Sequence, residues 1–257
     1  MVSMQNRVVL ITGASSGIGA ACARAFAPLG VKLVLAARRL SRLQALATQL
    51  EADFGVQTHV MSLDVRDRTQ VEAQLQALPA EWSAIDVLVN NAGLSRGLDK
   101  LYEGNIQDWE EMIDTNIKGL LYVTRAVVPG MVQRQQGHVI NIGSIAGHQT
   151  YPRGNVYCGS KAAVRAISDG LKQDLLGTPV RVSSVDPGLV ETEFSEVRFH
   201  GDTDRAQAVY ADTTPLTPED IAEVVVFCAT RPPHVNLSEL LVLPTAQSGA
   251  TLVHRQS

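Results

Sequence analysis

VVLITGASSGIGAACARAFAPLG, residues 8–30, decides the fold. Val8–Thr12 is a short apolar run with no polar alternation, the pattern of a strand buried on both faces. Ile18–Leu29 reads as a helix that stops at Gly30. Between them Gly13, Gly17 and Gly19 stand in a GxxxGxG spacing. Glycines there let the chain turn sharply and bring backbone N–H groups up to a pyrophosphate at the helix N-terminus, where the helix dipole favours an anion. Alone, such a turn could be an ordinary tight turn. Between a first strand and a first helix it predicts dinucleotide binding by Gly13, Ser15, Ser16, Gly17, Ile18 and Gly19.

The same alternation continues to the end of the chain. Strands are expected at 32–37, 58–65, 85–93, 138–144, 180–188 and 240–243, and helices near 41–53, 67–78, 108–134, 155–176 and 218–230. The strand segments are near-continuous apolar runs, which predicts a parallel sheet of about seven strands with helices on both faces, a doubly wound Rossmann-like α/β fold. No linker, repeat or low-complexity tract interrupts residues 1–257, so one domain is expected. The least regular stretch, 189–217, is expected to be a substrate lid.

Composition narrows the function classes. A net charge of −4 with scattered Lys and Arg gives no footprint for nucleic acid or an anionic membrane. No stretch reaches the roughly 18 apolar residues of a membrane span. The start, MVSMQNR, lacks the pattern of a signal peptide. Cys22, Cys158 and Cys228 are sparse and odd in number, which suggests free thiols in a reducing, cytoplasmic setting. No Cys/His cluster suggests a metal.

The cofactor can be narrowed further. Many NAD-binding folds place an acid about 20 residues beyond the glycines, on the ribose 2′-hydroxyl. Here that position is Ala37, followed by Arg38 and Arg39. Cations at a helix start oppose the dipole, so a bound anion explains them better, and the 2′-phosphate of NADP fits. Asp64 and Val65, after the third strand, would hold the adenine; alternatively Asp64 caps the next helix. Of Asn90 and Asn91, at the carboxyl edge of the fourth strand, one would tie strands together and Asn91, with Gly93, would line the cofactor.

Ser144 followed by Tyr157-x-x-x-Lys161 carries the chemistry. Ser144 is placed at the end of the fifth strand, and Tyr157 and Lys161 share one helix face at i and i+4. A tyrosine must lose a proton near neutrality to serve as a base, against a reference pKa of about 10. An adjacent ammonium favours the phenolate.

TGASSGIG, NNAG, Asn116, Ser144, YxxxK and PGLVET occur in the order and spacing of the short-chain dehydrogenase/reductases, and the chain resembles that family over nearly its whole length. The resemblance implies Tyr157 as acid/base, Lys161 on the nicotinamide ribose, Ser144 on the substrate oxygen and Asn116 anchoring a water relay. It further implies Pro187, Gly188, Val190 and Thr192 at the nicotinamide end, and a homotetramer assembled through the two long helices. GNVYCGSKAAVR, LTPEDIAEVV, FSEVRFHGD and VHRQ are similar to the 3-hydroxy acid (serine or allo-threonine) dehydrogenases, whose relatives include carbonyl and sulfoacetaldehyde reductases. A carboxylate substrate would need a cation, and Arg153 and Arg198 are the candidates. His148 and His200 read as solvated loop residues. A catalytically dead Rossmann sensor or scaffold is the reading from another class; it would need neither Tyr157 nor Lys161. An epimerase of the extended family would carry a longer C-terminal domain than the segment after Pro187.

Overall fold

The structure, a computed structural model, describes residues 2–255. Its centre is a seven-stranded, all-parallel sheet in the order β3-β2-β1-β4-β5-β6-β7. The strands are β1 (Val8–Thr12), β2 (Lys32–Ala37), β3 (Gln57–Ser62), β4 (Ile85–Asn90), β5 (Gly137–Ile142), β6 (Val180–Pro187) and β7 (Glu239–Val242). The inner strands are buried on both faces, as their apolar runs require, whereas β3 and β7 lie at the edges and are partly exposed.

The helices are α1 (Gly17–Phe26), α2 (Leu40–Phe54), α3 (Arg68–Gln76), α4 (Ala80–Ser83), α5 (Ile106–Ile113), α6 (Leu120–Gln133), α7 (Asn155–Asp174), α8 (Phe194–Arg198), α9 (Thr203–Ala208) and α10 (Pro218–Ala229). α1, α2 and α10 cover one face through a core that includes Phe26, Leu43, Leu50, Ile221 and Val225. α3 and α6 pack on the other through Val71, Val123, Val127 and Met131. The order of strands reverses between β1 and β4, and ligands of open α/β sheets bind at the carboxyl edge of such a switch point.

Several expectations are corrected. The helix expected over 108–134 is α5 and α6 joined by a π-helical segment at Asp114–Gly119, which carries Asn116. π insertions of this sort frequently occur at functional sites. β5 ends at Ile142, so Ser144 does not end the strand; it caps a 3₁₀ turn at Ile145–Gly147, its Oγ accepting from the Ala146 N–H at 3.1 Å. Asp67, not Asp64, caps α3, because it stands next to the first helical residue and accepts from the Gln70 N–H. The stretch 189–217 holds two short helices, α8 and α9.

Candidate active site

The cleft at the switch point has a volume of about 460 Å³, within the range of small-molecule sites. The loop after β1 forms one end. Gly13 and Gly17 adopt left-handed φ values of +66° and +49°, which suit glycine. Thr12 Oγ1 accepts from the backbone N–H groups of Asn91 and Ala92, each at 3.0 Å, fastening the β4 turn to this loop. Ser16 precedes α1 but does not cap it; its hydroxyl accepts from Arg39 Nη2 at 2.6 Å instead. The first N–H groups of α1 are thereby left for an anion from outside the helix, and the residues fit a dinucleotide pyrophosphate.

Gly13, Ser15, Ser16, Gly17, Ile18, Arg38, Arg39, Asp64, Val65, Asn91 and Gly93 all line the cleft. Gly19 does not. A Cβ there would lie 2.5 Å from both Gly13 O and Asn91 Nδ2, so this glycine serves the close packing of helix against loop. The two asparagines divide their work: Asn90 Nδ2 donates to Asn141 Oδ1 on the neighbouring strand, while Asn91 Nδ2 donates to the Thr12 carbonyl. Asp64 binds Arg66 through paired hydrogen bonds of 3.0 and 2.6 Å. Burial works to raise its pKa, but the Arg66 contacts outweigh burial and hold it below the usual value.

At the other end stand Ser144, Tyr157 and Lys161; Pro187, Gly188, Val190 and Thr192 also line the cleft, Thr192 lying against Gly17 of the glycine loop. Tyr157 is only 8% exposed, and Lys161 only 7%. Lys161 Nζ donates to the Ile142 carbonyl at 2.9 Å and lies 6.0 Å from the centre of the Tyr157 ring. Burial lowers its pKa to about 8. The same burial raises the Tyr157 pKa; the Arg198 guanidinium chiefly, and a hydrogen bond with Ser144, work against it. Lys161 was expected to be the cation that favours the phenolate, but in this arrangement Arg198 has the larger pull. The reason is that Lys161 turns its ammonium to a backbone carbonyl and is itself desolvated.

Asn116 lies behind the cleft wall, not in it. Its side chain accepts from the Leu94 N–H at 2.8 Å and donates to the Leu94 carbonyl and to Ser160 Oγ. It flanks Gly93 together with Lys161 Nζ: a Cβ built on that glycine would lie 3.3 Å from Asn116 Oδ1 and 3.6 Å from Nζ.

The two candidate arginines part company. Arg198 reaches the cleft from α8, its guanidinium 5.3 Å from the Tyr157 ring, with Nε donating to Ser95 Oγ at 3.0 Å and Nη2 to Tyr151 Oη at 2.9 Å. Arg153 is exposed and lies outside the cleft, at a turn with φ +66° closed by the Gly154 N–H donating to the Tyr151 carbonyl. Tyr151, two residues earlier, lines the cleft in its place.

Sequence reasoning also missed Phe194, packed edge-on against Tyr157 at 5.5 Å, and Glu193. Glu193 accepts from Arg39 at 2.8 Å and from Arg42 at 2.6 Å across the cleft mouth. An aromatic or acid in an irregular segment has no periodicity to reveal it. His148, read as solvated, is partly buried against Asp186 at 2.8 Å, and His200 stays exposed 3.2 Å from Asp108. Among the described residues, the one group of three potential metal-ligating side chains is His148, Asp186 and Glu239. It lies outside the cleft, and Arg165 already pairs with Glu239 at 2.6 Å.

A nucleotide-binding Rossmann cleft with Ser, Tyr and Lys converging at one end defines an oxidoreductase class, and the family model for short chain dehydrogenase matches residues 7–202. The chain belongs to that family. It is 51% identical to the NADP-dependent 3-hydroxy acid dehydrogenase YdfG of Escherichia coli K12, over 97% of this chain and the whole of the relative. The NADP-dependent 3-hydroxy acid dehydrogenase of Schizosaccharomyces pombe is 46% identical over 100% of this chain and 99% of its own. Among solved structures, a closed form of serine dehydrogenase complexed with NADP+ superposes with a TM-score of 0.91 at 50% identity, covering 97% of this chain and 100% of that one.

Proposed function

We propose that this chain interconverts short 3-hydroxy acids and the matching semialdehydes, with NADP(H) as cofactor. The single observation that carries the substrate class is Arg198. It stands over the Tyr157 ring inside the cleft, and among the described residues no carboxylate lies within ion-pair distance of it. Its known partners, Ser95 and Tyr151, are neutral and take Nε and Nη2, so Nη1 remains to grip an anion. A carboxylate brought into a partly apolar cleft needs such a partner. The printed names of the relatives, 3-hydroxy acid dehydrogenase and serine dehydrogenase, agree with this reading.

NADP, held by the β1 loop with Arg38 and Arg39 toward its 2′-phosphate, supplies the hydride acceptor, and NADPH the donor in reverse. Asp64 and Val65 would flank the adenine, and Asn91, Gly93, Pro187, Gly188, Val190 and Thr192 the nicotinamide half. The protein's part is the proton. In oxidation, Ser144 Oγ holds the substrate oxygen and Tyr157 Oη accepts its hydroxyl proton. Lys161 Nζ holds the cofactor ribose, and Asn116 keeps the loop at Gly93 and Leu94 in place beside it. Residues 189–217 act as a lid, fixed at its mouth by Glu193 and at its inner end by the Gly97 N–H donating to the Arg198 carbonyl at 2.9 Å.

Two further parts of the reading concern the setting of the enzyme. No helix among the described residues is long and apolar enough to cross a membrane, and the three cysteines are free and buried, which supports a cytoplasmic location. The homotetramer would assemble through α5/α6 and α7, and exposed Ile106, Ile113 and Leu121 along α5 and α6 support the first part of that interface.

The test is a panel of short hydroxy acids, semialdehydes and neutral alcohols, followed at the nicotinamide absorbance with each cofactor. Serine or 3-hydroxypropionate with NADP is expected to be the fastest pair. A neutral secondary alcohol outpacing every acid would make the protein a carbonyl reductase instead.

A further inference from the structure

Asp186 is the next-to-last residue of β6, just before Pro187, and it is 1% exposed. A buried carboxylate is costly unless it is hydrogen-bonded and paired. Two donors hold it: Ser184 Oγ reaches Oδ1 at 2.6 Å, and His148 Nε2 reaches Oδ2 at 2.8 Å. Its place is set by Gly143, where an added Cβ would fall 1.8 Å from Asp186 Oδ1. The carboxylate therefore lies against the backbone between Ile142 and Ser144. On that segment the Ile142 carbonyl accepts from Lys161 Nζ at 2.9 Å. Only one residue separates the group that holds the lysine from the serine of the site.

We infer that Asp186, clamped by Ser184 and His148 beneath Gly143, is a positioning residue that keeps Lys161 charged. This rests on the reading of Lys161 as part of the active site. Among the described residues, Asp186 is the negative charge that acts on Lys161. On its own helix it faces the Tyr157 ring; on the β4 side it faces Gly93 and the neutral Asn116; and on β5 it meets a backbone carbonyl. Ser184 on its own strand and His148 just after the 3₁₀ turn hold Asp186, and Lys161 of α7 reaches the same stretch of backbone through the Ile142 carbonyl. Glu239 of β7 lies 3.6 Å behind His148 and is held in turn by Arg165 of α7. Arg165 offsets the Glu239 charge, which leaves the His148–Asp186 pair to act on the lysine. Burial pulls the Lys161 pKa down and the Asp186 charge pulls it partly back, which leaves it at about 8. Without that charge the lysine would lose its proton at a lower pH.

The direct readout is the titration of Lys161 itself, by the pH dependence of its acetylation with a small anhydride, read by peptide mass in the full-length protein without substrate. In Asp186→Asn, which keeps shape and removes charge, the Lys161 midpoint is expected to fall by at least about one pH unit. The basic limb of kcat/KM should fall with it. His148→Leu is the second variant. It removes one of the two donors that hold the Asp186 carboxylate in place, and the midpoint is expected to move the same way by less. A merely structural role would lower the melting temperature and leave the titration alone. Midpoints within 0.3 units of the unmodified protein in Asp186→Asn, or in His148→Leu should the former not fold, would overturn the inference. Since acetylation needs no turnover, the outcome does not depend on the substrate assigned above.

Discussion

The two ends of the cleft are built on opposite electrostatic terms. At the mouth, Arg39 and Glu193 meet with side chains 42% and 39% exposed, and Arg42 joins them from α2. Water screens each of these charges, so an individual pair contributes little, on the order of 0–1 kcal/mol. At the floor, Tyr157 and Lys161 are buried, with Asp186 buried behind them outside the cleft, and losing one partner there leaves another charge or donor without compensation. The mouth can thus be retuned at small cost, and the floor cannot. In the proposed function, selection of cofactor falls to the exposed end and chemistry to the buried end.

Mutations at the floor should therefore have the largest effects. Tyr157→Phe keeps the ring that packs against Phe194 and removes the transferable proton. Turnover is expected to fall by at least about 10²-fold while cofactor binding, followed by fluorescence, stays within a few-fold. An enzyme that kept most of its turnover would place the proton route elsewhere.

At the mouth the expected changes are smaller and concern preference. Arg38 has no acidic partner within ion-pair distance among the described residues, so it is free for a phosphate. Arg38→Asp should shift the NADP-to-NAD ratio of kcat/KM by at least about tenfold toward NAD, equivalent to roughly 1.4 kcal/mol. An unchanged ratio would remove Arg38 from the 2′-phosphate site.

The smallest expected effect belongs to Glu193. Its carboxylate occupies two arginines that a 2′-phosphate would also attract, so Glu193→Gln should tighten NADP binding by about two- to fivefold. The gain should shrink at high salt, and NAD binding should not change. Equal tightening for both cofactors would mean that Glu193 acts on lid position and not on phosphate selection.

The same division explains what could be read from the sequence. Buried strands announce themselves by composition, and all seven were legible to within a few residues, as was the glycine loop between β1 and α1. Local geometry was less so. Nothing in DTNIKG signals a π-helical segment, whose Thr115 and Asn116 are buried in the fold. Arg153 looked well placed, four residues before Tyr157, but a left-handed backbone at that one position sends the chain outward and leaves Tyr151 in the cleft. Contacts such as Arg39 with Glu193 join residues more than 150 positions apart, and no local pattern encodes them. The hydrogen bonds that bury Asp186 are likewise invisible until β6 and the turn after Ser144 lie side by side.

In the proposed function, a short anionic substrate is held by Arg198 above the Tyr157 ring. The measurement that tests it most directly is the ratio of kcat/KM for 3-hydroxypropionate to that for a neutral alcohol of equal size. The ratio is taken with NADP in the unmodified enzyme and in Arg198→Met, which keeps length and removes the charged fork. The account predicts a ratio well above one that collapses by at least about tenfold in the variant, mainly through KM for the acid, with KM for NADP unchanged. A ratio that survives the substitution would contradict it.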